Sequence, residues 1–338
     1  MAKKDRIIRQ ELRQWRDDSL ISQELYDSLS SRYREEAWDV SVIIRWTLIL
    51  GAIMLGIGLI SFFLAIMDSM ALVAIVLTLL CGLSYYFGFS MTSRTSGRYY
   101  PKSGNALIAV ACLLLCGDIF VIGDLLSSGS GHWPFLLLIA SAIYFSVAYW
   151  HKNTLVLVFA LLGLATWFGT ESGYMSGWGT YFLGLNYPMR FALVSPLVVL
   201  FGYLHEKLRL FNAPESFVKA YYSIGLLYVN LSLWIMSIFG NYGDIDIWRD
   251  ASQWELLVFA LIWGLADVVI FVIGSRWQNR MFTGYAIVFL ILNLYTRYFE
   301  FFWDEMHKAL FFIILGGISI TAGLLFERRL KKAPREQA

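Results

Sequence analysis

Charged side chains are scarce in this sequence. Asp, Glu, Lys and Arg make up 15% of its 338 residues, against about 25% in soluble domains. Hydrophobic residues make up 58%. This composition excludes an ordinary water-soluble domain and indicates that lipid is the main solvent of the chain.

Cysteine and histidine are also rare. The three cysteines, Cys81, Cys112 and Cys116, all lie in apolar runs, which excludes a disulfide framework. Cys112 and Cys116 share a helical face and would suit two soft metal ligands, but packing as small hydrophobes is favoured. The four histidines fall near the ends of separate apolar runs, where polar packing explains them better than ligation: His132, His151, His205 and His307. We therefore predict no metal site and no cofactor.

Sequence signatures of catalysis are missing. The chain has no HExxH, GxSxG, GxxxxGK[ST] or strand-linked GxGxxG motif, so the common metalloprotease, hydrolase and nucleotide sites are not indicated. An enzyme acting on lipid would need a nucleophile or a metal cluster, and none is evident. Basic residues are not interleaved with an aromatic platform, so nucleic acid is not an expected partner. The first forty residues are too polar for the apolar region of a signal peptide.

What the sequence does contain is long apolar runs. A bilayer core of about 30 Å needs roughly 20 apolar residues per helix, and helices satisfy their own backbone groups in lipid. By that measure ten membrane-spanning helices are predicted, at residues 42–67, 69–90, 104–126, 134–150, 153–170, 189–205, 217–240, 254–274, 281–297 and 307–326.

The distribution of Lys and Arg predicts the orientation of these helices. Cytoplasmic connections carry an excess of basic residues, and alternate connections of this chain are basic when residue 1 starts inside. Of 27 Lys and Arg residues, those that then fall outside are Arg190, Arg249, Arg297 and Lys308. We therefore expect both termini to be cytoplasmic, in a bacterial inner membrane.

The segment before the first apolar run predicts a helical hairpin. Ile8, Leu12 and Trp15 form one apolar stripe, and Leu25, Leu29 and Tyr33 form a second, each at the spacing of an amphipathic helix. Ser22 is the expected N-cap of the second helix, with Glu24 in its first turn. The hairpin either covers the membrane domain or docks a partner. The docking candidates are Leu12, Trp15, Leu25 and Leu29.

The predicted fold is thus all-α, a polytopic membrane bundle of about ten helices. Residues 1–40 form the cytoplasmic hairpin, residues 41–327 the transmembrane domain, and residues 328–338 a basic tail. Pro196 is expected to bend the sixth spanning helix.

A few polar residues fall at membrane depth, where charges are costly and usually face a cavity or a partner. Asp118 and Asp267 lie inside the third and eighth spanning helices. Asn230, Asn293 and Arg297 lie in the seventh and ninth. These five residues either converge on a solute or proton pathway, with Arg297 as counter-charge to Asp118 or Asp267, or form clasps that fix helix packing. Asp124 and Arg190 are interpreted as interfacial.

The outer connection from Asn241 to Trp254 carries three carboxylates, on Asp244, Asp246 and Asp250. Such a set could hold a divalent cation, but its spacing matches no calcium loop. Solvated acids are the favoured interpretation.

Two stretches of sequence resemble a known family. "LRQWRDDSLISQELYDSLSSRY" leading into "LILGAIMLGIGLISFFLA", and the closing "TRYFEFFWD" and "KALFFIILGGISI", are similar to domain of unknown function two-one-five-seven, a family of prokaryotic integral membrane proteins. The resemblance implies a bacterial multi-pass membrane protein. It supplies no activity, cofactor or catalytic residue.

Two functional hypotheses follow. The first is a transporter-like or channel-like protein that moves a small solute past the polar residues at membrane depth. The second is a membrane scaffold that presents the hairpin to a protein partner. The expected partners are the lipid bilayer, with anionic lipid at the cytoplasmic face, and in the second hypothesis a protein.

Overall fold

The structure, a computed structural model, describes residues 8, 11–16, 20–30, 40–93, 99–127, 132–303 and 306–332. Tyr33 of the predicted hairpin and residues 333–338 of the predicted basic tail lie outside this set. The described residues are almost entirely helical, with a single isolated β-bridge between Phe182 and Leu185. The all-α prediction is confirmed.

Residues 11–16 are helical, and twelve α-helices follow. They are α1 Gln23–Ser30, α2 Val40–Ile66, α3 Met70–Thr92, α4 Pro101–Ser127, α5 Pro134–His151, α6 Thr154–Met175, α7 Tyr187–Leu208, α8 Glu215–Phe239, α9 Ile245–Arg249, α10 Gln253–Arg276, α11 Arg280–Phe302 and α12 Lys308–Lys332. A short 3₁₀ turn, Leu210–Asn212, joins α7 to α8.

Eight of these helices, α2 to α8 and α10, are long and apolar enough to cross a membrane. They coincide with the first eight of the ten predicted spanning helices. Helices α11 and α12 coincide with the ninth and tenth, whose crossing remains a prediction. Large apolar side chains such as Trp46, Leu79 and Leu261 are exposed along the eight helices. The chain is therefore a multi-pass membrane protein in contact with lipid.

Polar side chains define where several helices begin. Ser22 Oγ accepts a hydrogen bond from Leu25 N at 3.3 Å, and Glu24 lies in the first turn, which confirms the predicted N-cap of α1. Asn186 and Asn279 cap α7 and α11 in the same way. Such caps satisfy backbone N–H groups that have no partner within the helix.

The chain divides into two compact units, Met1–Leu164 and Ala165–Ala338. In the first, α4 packs against α2 and α3 around a core that includes Val73, Leu77 and Leu114. Glycine permits this approach: a Cβ atom on Gly104 would lie 2.7 Å from the backbone oxygen of Gly88.

In the second unit, α8 packs against α7 and α10, and α10 packs against α11. Its core contains Val229, Leu233, Met236, Trp263 and Phe289. Pro196 lies inside α7, and the bend expected there stays a prediction. The second unit holds four of the five polar residues predicted at membrane depth.

Candidate functional site in the polar interior

Asp118 is the buried acid of the first unit. Its side chain lies on α4 and is 4% exposed. Thr78 Oγ1, on α3, donates a hydrogen bond to Asp118 Oδ2 at 2.6 Å, while Oδ1 has no partner among the described residues. Asp118 thus joins α3 to α4 as a half-satisfied clasp.

The cysteines of the first unit contact phenols and backbone. The Sγ of Cys112 lies 3.3 Å from the hydroxyl of Tyr85, and Tyr144 donates to the backbone oxygen of Cys112. Cys81 Sγ donates to the backbone oxygen of Ala111 at 3.4 Å. In the described part of the chain, no group of three or more His, Cys, Asp or Glu side chains is placed to hold a metal ion. Cys112, one of the two cysteines predicted to share a helical face, is therefore bonded to two tyrosines in the interior of the first unit.

In the second unit, two asparagines connect α10 to its neighbours. Asn230 on α8 is fully buried; its Oδ1 accepts from Trp263 Nε1 at 3.1 Å and its Nδ2 donates to Leu226 O at 3.0 Å. Asn293 Nδ2 on α11 donates to Ala260 O at 2.9 Å. These are interhelical hydrogen bonds of the kind that fix packing in membrane bundles.

Arg297 forms an ion pair with Glu300, one turn further along α11. Its NH2 group also donates to the backbone oxygen of Ser237 at 3.0 Å and to Ser237 Oγ at 3.3 Å. The counter-charge is therefore Glu300 rather than Asp118 or Asp267. The reason is local, since residues three apart on a helix lie on one face. The spacing of three residues between Arg297 and Glu300 is visible in the sequence and predicts this ion pair.

Asp267 differs from the other four polar residues predicted at membrane depth. It lies on α10, is 0% exposed, and neither of its carboxylate oxygens has a hydrogen-bond partner among the described residues. An unpartnered acid in an apolar interior is costly, and most buried polar atoms in proteins are paired. The free-energy cost of burying Asp267 is therefore not offset by any hydrogen bond from the described residues.

The position of Asp267 is set by the residues around it. Trp263, four residues earlier, lies on the same face of α10 and is fully buried and bonded to Asn230. Asn293 bonds the backbone of α10 two turns before Asp267. The two amides hold α10 between α8 and α11, so they act on Asp267 by positioning its helix.

Arg190 was interpreted as an interfacial residue, and the structure gives it a larger role. It is 3% exposed and donates to Leu185 O at 2.8 Å, to Thr180 O at 2.9 Å and to Ser172 Oγ at 3.1 Å. Its guanidinium also lies 4.4 Å from the ring centre of Tyr187. Arg190 thus organises the connection between α6 and α7. Two of these three hydrogen-bond acceptors are backbone oxygens, so the pattern of side chains in the sequence does not predict them.

The four docking candidates of the hairpin differ in exposure. Leu12 is buried, Leu29 is half-buried, and Trp15 and Leu25 are exposed. Arg13 Nε donates to the hydroxyl of Tyr26 at 3.4 Å, and the Arg16 guanidinium lies 4.7 Å from the ring centre of Tyr26. The two helical segments are therefore in contact.

The acids after α8 have structural roles. Asp244 Oδ1 accepts from Asp246 N at 3.1 Å and caps α9, and Asp246 forms an exposed ion pair with Arg249. This agrees with the interpretation of these residues as solvated acids.

Comparison with protein families gives one match. Residues 13–157 match the family described as "Predicted membrane protein (DUF2157)". The DUF2157 match covers residues 13–40 of the predicted hairpin and most of the first unit, including Asp118, and it ends before the closing stretches whose sequence also resembles the family. The comparisons with curated proteins and with solved structures give no match. The DUF2157 description agrees with the membrane assignment and carries no activity.

Proposed function

We propose that this membrane protein moves a small solute, in the simplest case a proton, with Asp267 as the group that takes it up. The observation that carries the proposal is the full burial of Asp267 with both carboxylate oxygens unpartnered. Ionisable residues at membrane depth commonly belong to proton relays or ion pathways.

The other polar residues at membrane depth support this assignment because each of them already has a hydrogen-bond or ion-pair partner. Asn230, Asn293 and Arg297 each have partners on a neighbouring helix. Since Glu300 pairs with Arg297, the guanidinium is committed elsewhere. Asp267 therefore remains as a possible acceptor for a mobile cation, while hydrogen bonds join the helices around it.

Purified protein in liposomes tests the proposal directly. A potassium gradient with valinomycin sets a membrane potential, and a trapped pH dye reports proton entry. We expect proton flux above that of protein-free liposomes, and we expect Asp267→Asn to reduce it at least tenfold because the amide cannot exchange a proton.

Asp124→Asn is the matched control, since Asp124 is an exposed acid on α4 and this substitution should leave flux unchanged. Wild-type liposomes whose proton flux is no higher than that of protein-free liposomes would contradict the proposal, as would full activity of Asp267→Asn.

A second candidate function is a membrane scaffold. It is favoured by the exposure of Trp15, Leu20 and Leu25 on the hairpin, because large apolar side chains exposed together indicate interaction surfaces. Complementation of a strain lacking the chain separates the two functions. The scaffold hypothesis predicts that deletion of residues 1–38 abolishes complementation and that Asp267→Asn does not, whereas the transport hypothesis predicts that Asp267→Asn abolishes it.

A further inference from the structure

Polar side chains lie on both sides of Asp267 along the second unit. Trp263 on α10 is bonded to Asn230 on α8. Later on α10, Ile270 packs against the buried cluster that contains Tyr222, which lies earlier on α8. The two helices are therefore antiparallel, and Asp267 lies between the level of Asn230 and the level of Tyr222. The polar groups on these two sides differ in what they can do with a proton.

On the Tyr222 side, the polar groups are hydroxyls and a carboxylate. Ser223 Oγ on α8 and the Tyr285 hydroxyl on α11 lie 3.0 Å apart, and either oxygen can be the donor. Tyr222 donates a hydrogen bond to Glu206 Oε2 on α7 at 2.6 Å, and Glu206 is exposed near the end of that helix. Hydroxyls both donate and accept hydrogen bonds, and a carboxylate takes up a proton. We call these four residues the hydroxyl route.

Tyr285 places the hydroxyl route beside Asp267. Ala266 and Ile270, on either side of Asp267 in α10, pack against the same buried cluster as Tyr285. Ile270 follows Asp267 by three residues, which is about 4.5 Å along a helix, and it lies on the same face of α10. A single water molecule is enough to bridge polar groups across such a gap.

On the opposite side of Asp267, the polar groups hold their hydrogens in fixed bonds. The first are the amides of the two asparagines described above, which bond to Trp263 and to backbone oxygens. Next, the Thr296 hydroxyl accepts from Trp234 Nε1 at 3.1 Å and donates to Leu292 O at 2.8 Å. Arg297 follows, and a guanidinium does not release its proton. These groups suit helix packing better than proton transfer.

The end of α8 on that side is also tied to the α6–α7 connection. Asn186 Nδ2 donates to Gly240 O at 2.7 Å, and Asn241 Nδ2 donates to Gly184 O at 3.0 Å. The Tyr181 hydroxyl donates to Asn241 O at 2.8 Å. These bonds join two connections at one end of the second unit, which favours proton entry from the other end, where the hydroxyl route reaches the surface.

We propose that the proton taken up by Asp267 arrives along the hydroxyl route, entering at Glu206 and passing Tyr222, Ser223 and Tyr285. Water bridges the breaks between the bonded pairs. Each hydroxyl accepts one proton on its oxygen and releases its own hydrogen to the next group, so Glu206 loses one proton, Asp267 gains one and the hydroxyls are unchanged. This inference rests on the proposed function and adds the direction of uptake.

Proton flux into liposomes tests the route with substitutions that remove one hydroxyl each. Tyr285→Phe keeps the ring that stacks on Phe289, and Tyr222→Phe keeps the ring that packs against Phe282. We expect each to reduce flux about tenfold, because a water molecule replaces a lost hydroxyl only in part. Tyr228→Phe is the matched control on α8, since its ring lies beside Phe191 of α7, and its flux should equal that of the wild type.

The exposed end of the route has its own control. Glu206→Gln should reduce flux, and combining it with Tyr222→Phe should give no further loss, because both substitutions break one step. Glu215→Gln should leave flux unchanged, since Glu215 is an exposed acid in the first turn of α8 that pairs with Lys219.

Hydrogen–deuterium exchange of the Asp267 carboxyl group separates a relay from a structural role. Infrared difference spectra of wild type and Asp267→Asn in D₂O identify its carbonyl band. Tyr285→Phe should slow exchange of this band about tenfold, as for flux, whereas loosened packing would speed it. Thr296→Val removes a hydroxyl on the opposite side and should leave the rate unchanged; a rate slowed by Thr296→Val and not by Tyr285→Phe would overturn the direction.

The outcomes distinguish the route from the proposed function. Wild-type flux no higher than that of protein-free liposomes would overturn both. Flux that Asp267→Asn abolishes, but that Tyr285→Phe, Tyr222→Phe and Glu206→Gln leave unchanged, would overturn the hydroxyl route alone. Reduced flux together with slowed exchange in Tyr285→Phe would establish the route.

Discussion

The two units of this protein each bury an aspartate within a spanning helix, and they treat it differently. In the first unit, Asp118 receives a hydrogen bond from Thr78. In the second unit, Asp267 receives none from the described residues, although amides, a tryptophan and an ion pair are bonded on the helices around it. The comparison shows that a buried acid joins two helices only when a hydrogen-bond donor packs against it.

The two interiors also differ in how their polar groups are satisfied. In the first unit, thiols and phenols bond to backbone oxygens or to one another. The second unit contains a largely buried charged pair in addition to buried carboxamides. Charged clasps are the more costly to break, so substitutions should have the larger effects in the second unit.

The largest effect is expected from Arg297→Ala. It leaves the half-buried Glu300 without its partner, and breaking a buried pair from one side costs about 3–5 kcal/mol. Denaturant unfolding of the purified protein in mixed micelles measures the loss. The double variant Arg297→Met/Glu300→Leu should recover most of it, and a double variant as unstable as Arg297→Ala would show that the pair itself does not explain the loss.

The next largest effect is expected from Gly88→Ala in the first unit. The added Cβ would lie 2.8 Å from Ile108 Cγ1 and 3.0 Å from Gly104 O, and overpacking of this kind costs about 1–3 kcal/mol. The thermal unfolding temperature should fall.

Gly82→Ala on the same helix is the control, because nothing lies within 4 Å of its added Cβ. It should stabilise α3 by up to about 1 kcal/mol. A similar loss in both variants would mean that backbone freedom, rather than close packing, is what the glycines supply.

The sharpest test of the comparison is the same substitution at both acids. Asp118→Leu should destabilise the protein by about 1–3 kcal/mol because it strands the hydroxyl of Thr78. Asp267→Leu removes a group that has no described partner, so stability should stay level or rise by about 1 kcal/mol. Denaturant unfolding of the two variants gives the sign of the change in the free energy of unfolding for each. Equal losses of stability would contradict the distinction between an acid that has a hydrogen-bond donor and one that has none.

The smallest effect is expected from Arg249→Ala. The pair between Arg249 and Asp246 is exposed, with an N–O distance of 3.5 Å, and such pairs contribute about 0–1 kcal/mol. A change in stability similar to that of Arg297→Ala would show that exposure does not decide the strength of these pairs.

Much of the fold could be predicted from the sequence because apolar run length and polar caps are local signals. The eight helices that are long and apolar enough to cross a membrane, and the Ser22 cap, are of this kind. The bonds between Asn230 and Trp263, and between Ser223 and Tyr285, join residues far apart in the chain, so only the packing of helices reveals them. The choice of Asp267 as a candidate came from its place in an apolar run, whereas its lack of a partner needed the structure.

The anchoring of the α6–α7 connection by Arg190 has a consequence for how the chain is made. The bonds of Arg190 to Leu185 and Thr180 exist only once that connection has folded. Until then, Arg190 is a cation without these acceptors, and a charged side chain is costly in the bilayer. The folded connection surrounds the guanidinium with carbonyl oxygens, so any motion that opens the connection leaves a buried cation without its hydrogen-bond acceptors.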